Sequence, residues 1–216
     1  MSHISESTVR RLSHYYRVLE EVSAEGKRMI SSHLLAEREG VTSAQVRKDL
    51  SYFGSFGRRG LGYNVAHLRA EIRAILGLER RWKVAVVGAG HIGSALLAYR
   101  GFFEQGFDVV AAFDRDPRRI GLSLGTLVVQ DVAEMPAIAA SGAFEIGVIT
   151  TPAAGAQDIA DALTAAGIRG ILNFAPRKLF VPRHVTVRNV DMTLEFESLS
   201  FALAEERSPR KRRARG

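Results

Sequence analysis

Between residues 9 and 76 apolar positions recur at helical spacing in four separate stretches. Val9, Leu12, Tyr16, Leu19 and Val22 form one stripe, and "EGK" at 25–27 sets a glycine stop behind it. A shorter helix is predicted through Leu34, Leu35 and Ala36, with Ser31 or Ser32 as its cap and its end near Gly40. Thr42 or Ser43 caps a third, in which Val46, Leu50 and Phe53 share a face. The period then breaks. "GSFGRRGLGYNV" spaces glycines at 54, 57, 60 and 62 between Phe56, Leu61, Tyr63 and Val65, which predicts a small β-hairpin. Leu68, Ile72 and Ile75 or Leu76 restore helical spacing, and "GLERRW" at 77–82 reads as a linker.

After Trp82 short, wholly apolar runs alternate with helical stretches: "VAVVG", "GSALLAY", "FDVVAAFD", "EIGVITT", "AQDIADALTAAG" and "GILNFAP". Continuous Val/Ile runs of this length belong to parallel strands covered on both faces, so a βαβ architecture is predicted. In the last helical stretch Met192, Phe196, Leu199 and Leu203 make a stripe, while Leu194 and Phe201 lie off it. That is more apolar surface than one docking face needs, and the helix is expected to be buried on two sides. The expected division is a helical first domain with its hairpin at 1–80, a βαβ domain at 81–190, a last helix at 191–206 and a basic tail at 207–216. The tail has nothing apolar to bury and reads as disordered.

Composition narrows the classes. The 216 residues, 46% hydrophobic and 25% charged, allow one large domain or two small ones. The absence of cysteine excludes disulfides and thiolate metal sites and suits a reducing compartment, so the cytoplasm is the expected location. No apolar run reaches signal-peptide length at the start or the roughly 18 residues of a spanning helix later, so no membrane partner is expected. The net charge of +7 is uneven: residues 1–80 hold 13 Lys/Arg against 9 Asp/Glu, 81–206 hold 11 against 14, and 207–216 hold 6 against none. This polarity suggests a polyanion for the first part and a small molecule for the middle. The tail reads either as a nonspecific polyanion arm or as a solubilising end.

Three helices followed by a hairpin is the layout of a winged helix-turn-helix, whose third helix enters the major groove. With Val46, Leu50 and Phe53 turned inward, Ala44, Lys48 and Ser51 face outward, flanked by Gln45, Arg47 and Tyr52. Gln and Arg suit bidentate bonds to adenine and guanine edges, Lys48 suits phosphate, and Ala44 lets the backbone approach. Arg58 and Arg59 on the hairpin suit the backbone or a narrow minor groove. The candidate DNA contacts are Ser43, Ala44, Gln45, Arg47, Lys48, Ser51, Arg58, Arg59, Gly60 and Tyr63. A solvated basic face on an ordinary amphipathic helix would also produce "QVRKDL". The order of elements, the arginine pair and the local charge excess favour duplex DNA.

"GAGHIG" at 88–93 follows the strand-like "KVAVV", opens the helix "SALLAY", and precedes a second strand ending on Asp114. Together these make the dinucleotide fingerprint. Gly88 permits the tight turn, Gly90 the approach of backbone to the pyrophosphate, and Gly93 the packing of helix on strand, with the helix amides meeting the negative charge. Asp114 would accept from the ribose hydroxyls, and its charge favours NAD(H) over the 2′-phosphorylated form, with Arg115 beside it. The candidate cofactor residues are Gly88, Ala89, Gly90, His91, Ile92, Gly93 and Asp114, with Thr151, Pro152, Asn173 and Phe174 at the ends of later strands. The alternative is a related site for another nucleotide such as coenzyme A. The six histidines show no acid partner or metal spacing, and 83–190 is consumed by the cofactor fold itself. No catalytic residue and no metal ligand are therefore predicted, and the cofactor reads as a signal. A small NAD-dependent oxidoreductase is the alternative.

The segments "VRKDLSYFGSFGRRGLGY", "VGAGHIGSALLAYRGF", "AFDRDPRRIG", "GILNFAP" and "NVDMTLEFESLSFAL", in this order from about residue 9 to 204, resemble the Rex redox-sensing transcriptional repressors of bacteria. The resemblance implies an α/β chain with an N-terminal winged helix-turn-helix, a Rossmann-like doubly wound parallel sheet and a C-terminal domain-swapped helix. It also implies a homodimer that binds palindromic operator DNA, is permitted to bind with NAD⁺, and is released by NADH. By the same resemblance Arg17, Tyr99 and Asp191 form a cofactor-dependent switch. On residue pattern alone, Arg17 is a solvated helix residue, Tyr99 a helix-end packing residue and Asp191 a helix cap. Ser13 and Tyr16 stand where the family tends toward proline and leucine, His91 where asparagine or arginine is usual, and Met192 where some relatives carry an aromatic.

Overall fold

The structure, a computed structural model, describes residues 4–58 and 60–207, without the side chains of Arg58, Glu206 and Arg207. Arg59, expected on the hairpin, and the basic tail expected at 207–216, apart from the Arg207 backbone, lie outside the described residues. The chain forms two compact units, 1–80 and 81–216.

In the first unit, α1 (Glu6–Ala24) starts at Ser5, whose hydroxyl accepts from the Thr8 amide. A two-residue strand, β1 (Met29–Ile30), follows. Next come α2 (Ser32–Glu39), capped by Ser31 and closed by Gly40 at φ +71°, and α3 (Ser43–Ser51), capped by Thr42. The hairpin is β2 (Gly57–Arg58) and β3 (Gly62–Asn64), and Asn64 caps α4 (Val65–Ile75). Strand β3 lies between β1 and β2, antiparallel to both. Apolar spacing too short to register left β1 unpredicted. The stripes meet as expected: Leu12, Leu19, Leu35, Val46, Leu50, Leu68 and Ile72 are all buried in one core. At about 1.5–3 kcal/mol for each large side chain, this burial is what holds the four helices together.

The second unit opens with β4 (Trp82–Val87), so Trp82 begins a strand and does not close the linker. Then come α5 (His91–Ala98), α6 (Gly101–Glu104), β5 (Phe107–Asp114), β6 (Ser123–Leu124), β7 (Leu127–Asp131), a 3₁₀ turn at Val132–Glu134, and α7 (Met135–Ala140). The chain continues through β8 (Ile146–Ile149), α8 (Ala153–Ala165), β9 (Gly170–Asn173), β10 (Thr186–Asn189) and α9 (Met192–Arg207). The sheet runs β10-β9-β8-β4-β5-β7-β6, parallel except for the β6/β7 hairpin at its edge. This is a doubly wound order with its reversal between β4 and β8. Within β4, Ala85 and Val87 pack into one apolar cluster and Val84 and Val86 into another, so the strand is covered on both faces. On α9, however, Met192, Leu194, Phe196, Leu199, Phe201 and Leu203 are 51–68% exposed in the single chain. Among the described residues no helix is long and apolar enough to cross a membrane.

Candidate functional sites

In the first unit α3 carries two exposed cations, Arg47 and Lys48. Ala44, Arg47, Lys48 and Ser51 are exposed, as the helical projection requires, and Ser43 is half-buried at the first position. Arg47 Nη1 donates to Ser32 Oγ at 3.1 Å, tying the face of α3 to the start of α2. Between α3 and the hairpin runs a groove of about 710 Å³ whose lining includes Ser32, Arg47, Ser51, Phe56, Gly60 and Tyr63. Tyr63 departs from expectation. Only 7% exposed, it is a core residue beneath the hairpin. A Cβ on Gly57 would stand 2.7 Å from its ring, so glycine is what lets β2 lie on it. Burial raises the Tyr63 hydroxyl's pKa and Arg47 opposes that rise. Tyr63 therefore shapes the groove floor. Gln45 sits half-buried on the flank of α3, with Nε2 donating to Asp49 Oδ1 at 2.8 Å.

Asp49 is the residue sequence reasoning missed. It lies on α3 at 0% exposure, and Arg11 of α1 grips it with Nε at 2.6 Å and Nη2 at 2.8 Å. The Tyr15 hydroxyl adds a third donor at 2.9 Å. Burial alone would raise the Asp49 carboxyl, but the bonds from Arg11, Gln45 and Tyr15 outweigh it and hold its pKa below the usual value. Burial first, then the Asp49 carboxylate, pushes the Tyr15 hydroxyl up, so it remains a donor. A signal was present: Val46, Asp49, Leu50 and Phe53 fall at i, i+3, i+4 and i+7, which places an acid inside the apolar stripe.

The second unit builds its site at the carboxyl ends of β4 and β8, beside the reversal of strand order. Gly88 has φ +107°, and a Cβ there would lie 2.9 Å from the Thr150 carbonyl carbon. A Cβ on Gly93 would fall 1.8 Å from the Gly88 carbonyl oxygen, so helix α5 can approach the strand only through glycine. The Thr150 hydroxyl closes this junction, reaching the Val87 and Gly88 carbonyls at 3.1 and 2.6 Å. Helix α5 starts at Gly90 with no side-chain cap, and His91 and Ile92, both exposed, stand in its first turn. Uncapped amides at a helix start suit a pyrophosphate.

Asp114, 6% exposed at the end of β5, faces this loop. Its Oδ2 accepts from the Ala89 amide at 2.7 Å and from Arg119 Nη1 at 3.2 Å, and its Oδ1 accepts from the Asp116 amide at 2.9 Å. Burial works to raise its pKa, but these donors lower it below the usual value, so it is a fixed negative charge. Arg119, unmarked by any spacing rule, also covers the glycine turn: a Cβ on Gly90 would lie 3.3 Å from its Nη1. Arg118 is taken by Asp116, whose pKa it lowers to about 2.

The later loops divide. Pro152 starts α8, and the Thr151 hydroxyl beside it is buried without a hydrogen-bond partner. Phe174 packs against Val84, Val86 and Val148. Asn173 was expected to border the ligand, yet it is 1% exposed and its amide is spent internally. Nδ2 reaches the Ala175 and Arg177 carbonyls and Asn189 Oδ1, while Oδ1 accepts from the Ala175 amide. It sets the loop. The residues fit a dinucleotide: glycines no side chain could replace, an uncapped helix start, a fixed carboxylate and an unpartnered buried hydroxyl meet at one edge of the sheet.

The three switch candidates lie apart in character. Arg17 is exposed on α1 in the first unit. In the second unit Tyr99, 61% exposed at the end of α5, meets the Phe102 ring edge-on at 4.9 Å. Asp191 caps the last helix, its Oδ1 accepting from the Thr193 amide at 2.9 Å. Among the described residues no group of three or more His, Cys, Asp or Glu could hold a metal ion.

Residues 3–51 match the family described as "Putative DNA-binding protein N-terminus", and residues 79–177 the family described as "CoA binding domain". The chain is 49% identical to the redox-sensing transcriptional repressor Rex of Carboxydothermus hydrogenoformans, over 94% of this chain and 98% of that one. It is 46% identical to the Rex repressor of Chloroflexus aurantiacus, over 92% and 93%. Among solved structures, RSP in complex with β-NAD⁺ and operator DNA superposes with a TM-score of 0.91 at 37% identity, covering 99% of both chains. RSP in complex with β-NADH gives 0.86 at 37%, over 96% and 97%, and RSP is described as a Rex-family repressor.

Proposed function

The chain belongs to the Rex family of redox-sensing transcriptional repressors, and from that premise we propose that it holds operator DNA through its first unit, binds NAD(H) in its second, and lets go of the operator when NADH replaces NAD⁺. The observation that carries this is the likeness, over 99% of both chains, to a repressor crystallised with NAD⁺ and operator DNA together. Both of the surfaces such a protein requires are built here from this chain's own residues.

On the DNA side, Arg47 and Lys48 are the cations of α3, Ala44 and Ser51 permit close approach, and Arg58 and Arg59 add two cations in the sequence that follows. On the cofactor side, the His91 and Ile92 amides receive the pyrophosphate, Asp114 the ribose, and Thr151 and Phe174 border the nicotinamide end. The bound dinucleotide supplies a nicotinamide ring that is neutral when reduced and positively charged when oxidised. Arg17, Tyr99 and Asp191 are the groups we assign to sensing that difference. The exposed apolar side chains of α9 need a cover, and a second copy of the chain, with its own α9 exchanged, provides it. The cofactor is thus a signal and the chain a regulator with no turnover of its own.

The test is titration of a preformed complex of protein and operator duplex with NADH and with NAD⁺ at fixed salt. NADH is expected to dissociate the complex and NAD⁺ to leave it in place. Equal responses would remove the sensor. The match to a coenzyme A-binding family supports a second reading, in which the ligand is an acyl carrier. Against it stands Asp114, since the coenzyme A ribose bears a 3′-phosphate that a fixed carboxylate repels. Ranking NADH, NADPH and acetyl-coenzyme A by thermal shift separates the two. Sustained loss of the reduced nicotinamide's near-ultraviolet absorbance with carbonyl substrates would indicate an oxidoreductase instead.

A further inference from the structure

Gln45 is the third residue of α3, in the part of a recognition helix that meets base edges. A free glutamine amide has no fixed polarity, because its last torsion is broad and two-fold and either end can face a base. Here one end is engaged: Nε2 donates to Asp49 Oδ1 at 2.8 Å. Asp49 is wholly buried and already receives two bonds from Arg11 and one from Tyr15. Held ionised by these donors, its carboxylate can only accept. The amide end beside it must therefore be the NH₂, and the carbonyl Oε1 is turned the other way. Among the described residues nothing donates to that oxygen.

We propose that Asp49 sets the polarity of the Gln45 amide and so makes Gln45 a reader of adenine and not of guanine. This rests on the DNA-binding reading above and goes beyond it. Adenine offers N6–H to Oε1 and N7 to the remaining N–H of Nε2. Guanine offers O6 and N7, two acceptors, and would set O6 against Oε1. Without the buried carboxylate the amide turns over and accommodates either purine. Arg11 and Tyr15, on α1, thereby act on base selection without reaching DNA.

The experiment uses the full chain with NAD⁺ at fixed concentration and a duplex selected by the parent protein from a randomised pool. Salt dependence of that binding establishes the underlying reading. Each adenine is then changed to guanine, with its complement, for the parent, Gln45→Ala, Asp49→Asn and the double variant. One position in each half-site is expected to cost the parent about tenfold or more in affinity. Both single variants reduce that cost to about threefold or less, and the double variant is no worse than Gln45→Ala. Retention of the parent's adenine preference by Asp49→Asn overturns the proposal, as does an Asp49 effect that persists without Gln45, which is what a merely structural role would give. If Asp49→Asn fails to fold, unsubstituted purine in place of that adenine removes only the N6 amine. It should cost the parent about as much as guanine and cost Gln45→Ala nothing, and equal losses in both overturn the proposal. Salt-dependent binding with no Gln45-dependent position defeats this inference alone; no salt-dependent binding at all defeats the DNA reading with it.

Discussion

Replacing Arg11 by methionine keeps most of the apolar stem and removes the cation that faces Asp49. The two groups meet through bonds of 2.6 and 2.8 Å, with the carboxylate fully buried and the arginine side chain 23% exposed. Breaking a buried pair from one side costs about 3–5 kcal/mol, because a charge is left without its partner. Tyr15 and Gln45 still donate to Asp49, so the lower end, about 3 kcal/mol, is expected. For a unit of about 80 residues this corresponds to a fall of roughly 12–24 °C in the midpoint of its melting. Circular dichroism follows the loss, and fluorescence of Trp82, the one tryptophan, reports the second unit as an internal control.

The pH dependence has a definite sign. Asp49 has a depressed folded pKa, so its contribution is present above the unfolded value of roughly 3.9 and is lost as pH falls through the folded value. Without Arg11, burial is less opposed and the carboxyl takes up its proton at higher pH. The gap between parent and variant is therefore widest near neutrality and narrows toward acid. Arg11→Met combined with Asp49→Asn should recover much of the loss, since a neutral amide needs no counterion. A midpoint within about 4 °C of the parent at neutral pH, equivalent to under 1 kcal/mol, would refute the account.

Gly93→Ala should weaken NADH about tenfold to hundredfold by calorimetry, the equivalent of an overpacking cost of 1–3 kcal/mol, because the new Cβ would lie 1.8 Å from the Gly88 oxygen. Gly170→Ala, whose Cβ would meet Ile146 at 3.5 Å, is the control and should bind normally. Asp114→Asn should cut the preference for NADH over NADPH about tenfold in fluorescence titrations, roughly 1.4 kcal/mol of lost repulsion; an unchanged ratio would show that the carboxylate does not select the cofactor. Phe196→Glu, at a side chain 66% exposed on α9, should convert a two-chain species to single chains in analytical ultracentrifugation. The expected penalty is about 3 kcal/mol, roughly a hundredfold in dissociation constant.

The short helices of the first unit were legible because an apolar stripe stands between a cap and a stop, with Thr42 before α3 and Gly40 after α2. The glycine loop was legible because its reasons are steric and local. Two-residue β1 has no period to detect, and β10, mostly exposed at the sheet edge, lacks the apolar run that marked β4 and β8. Side-chain tasks were the least visible. Gln45, Tyr63 and Asn173 have the right chemistry for direct contact, and only three-dimensional partners reveal that Asp49 holds the first, the hairpin covers the second and the 173–177 turn consumes the third. Arg11 and Asp49 are 38 residues apart, beyond any spacing rule.

Asp114 shows how far such partners can change the chemistry a motif promises. A carboxylate has about four acceptor sites. Three are engaged: the Ala89 amide and Arg119 on Oδ2, and the Asp116 amide on Oδ1. The two backbone bonds are fixed by the glycine turn and the β5 end, but Arg119 lies on a long, partly exposed side chain and can leave. A ribose presents two hydroxyls, and one acceptor site of the carboxylate is left for them. A second hydroxyl would compete with Arg119, the same side chain that would lie 3.3 Å from a Cβ on Gly90. Ribose binding at Asp114 would then draw Arg119 away from the glycine turn, and its guanidinium would be free to serve as a counterion for phosphate. Arg119 thus keeps Asp114 paired where burial to 6% exposure would make a carboxylate without a partner costly.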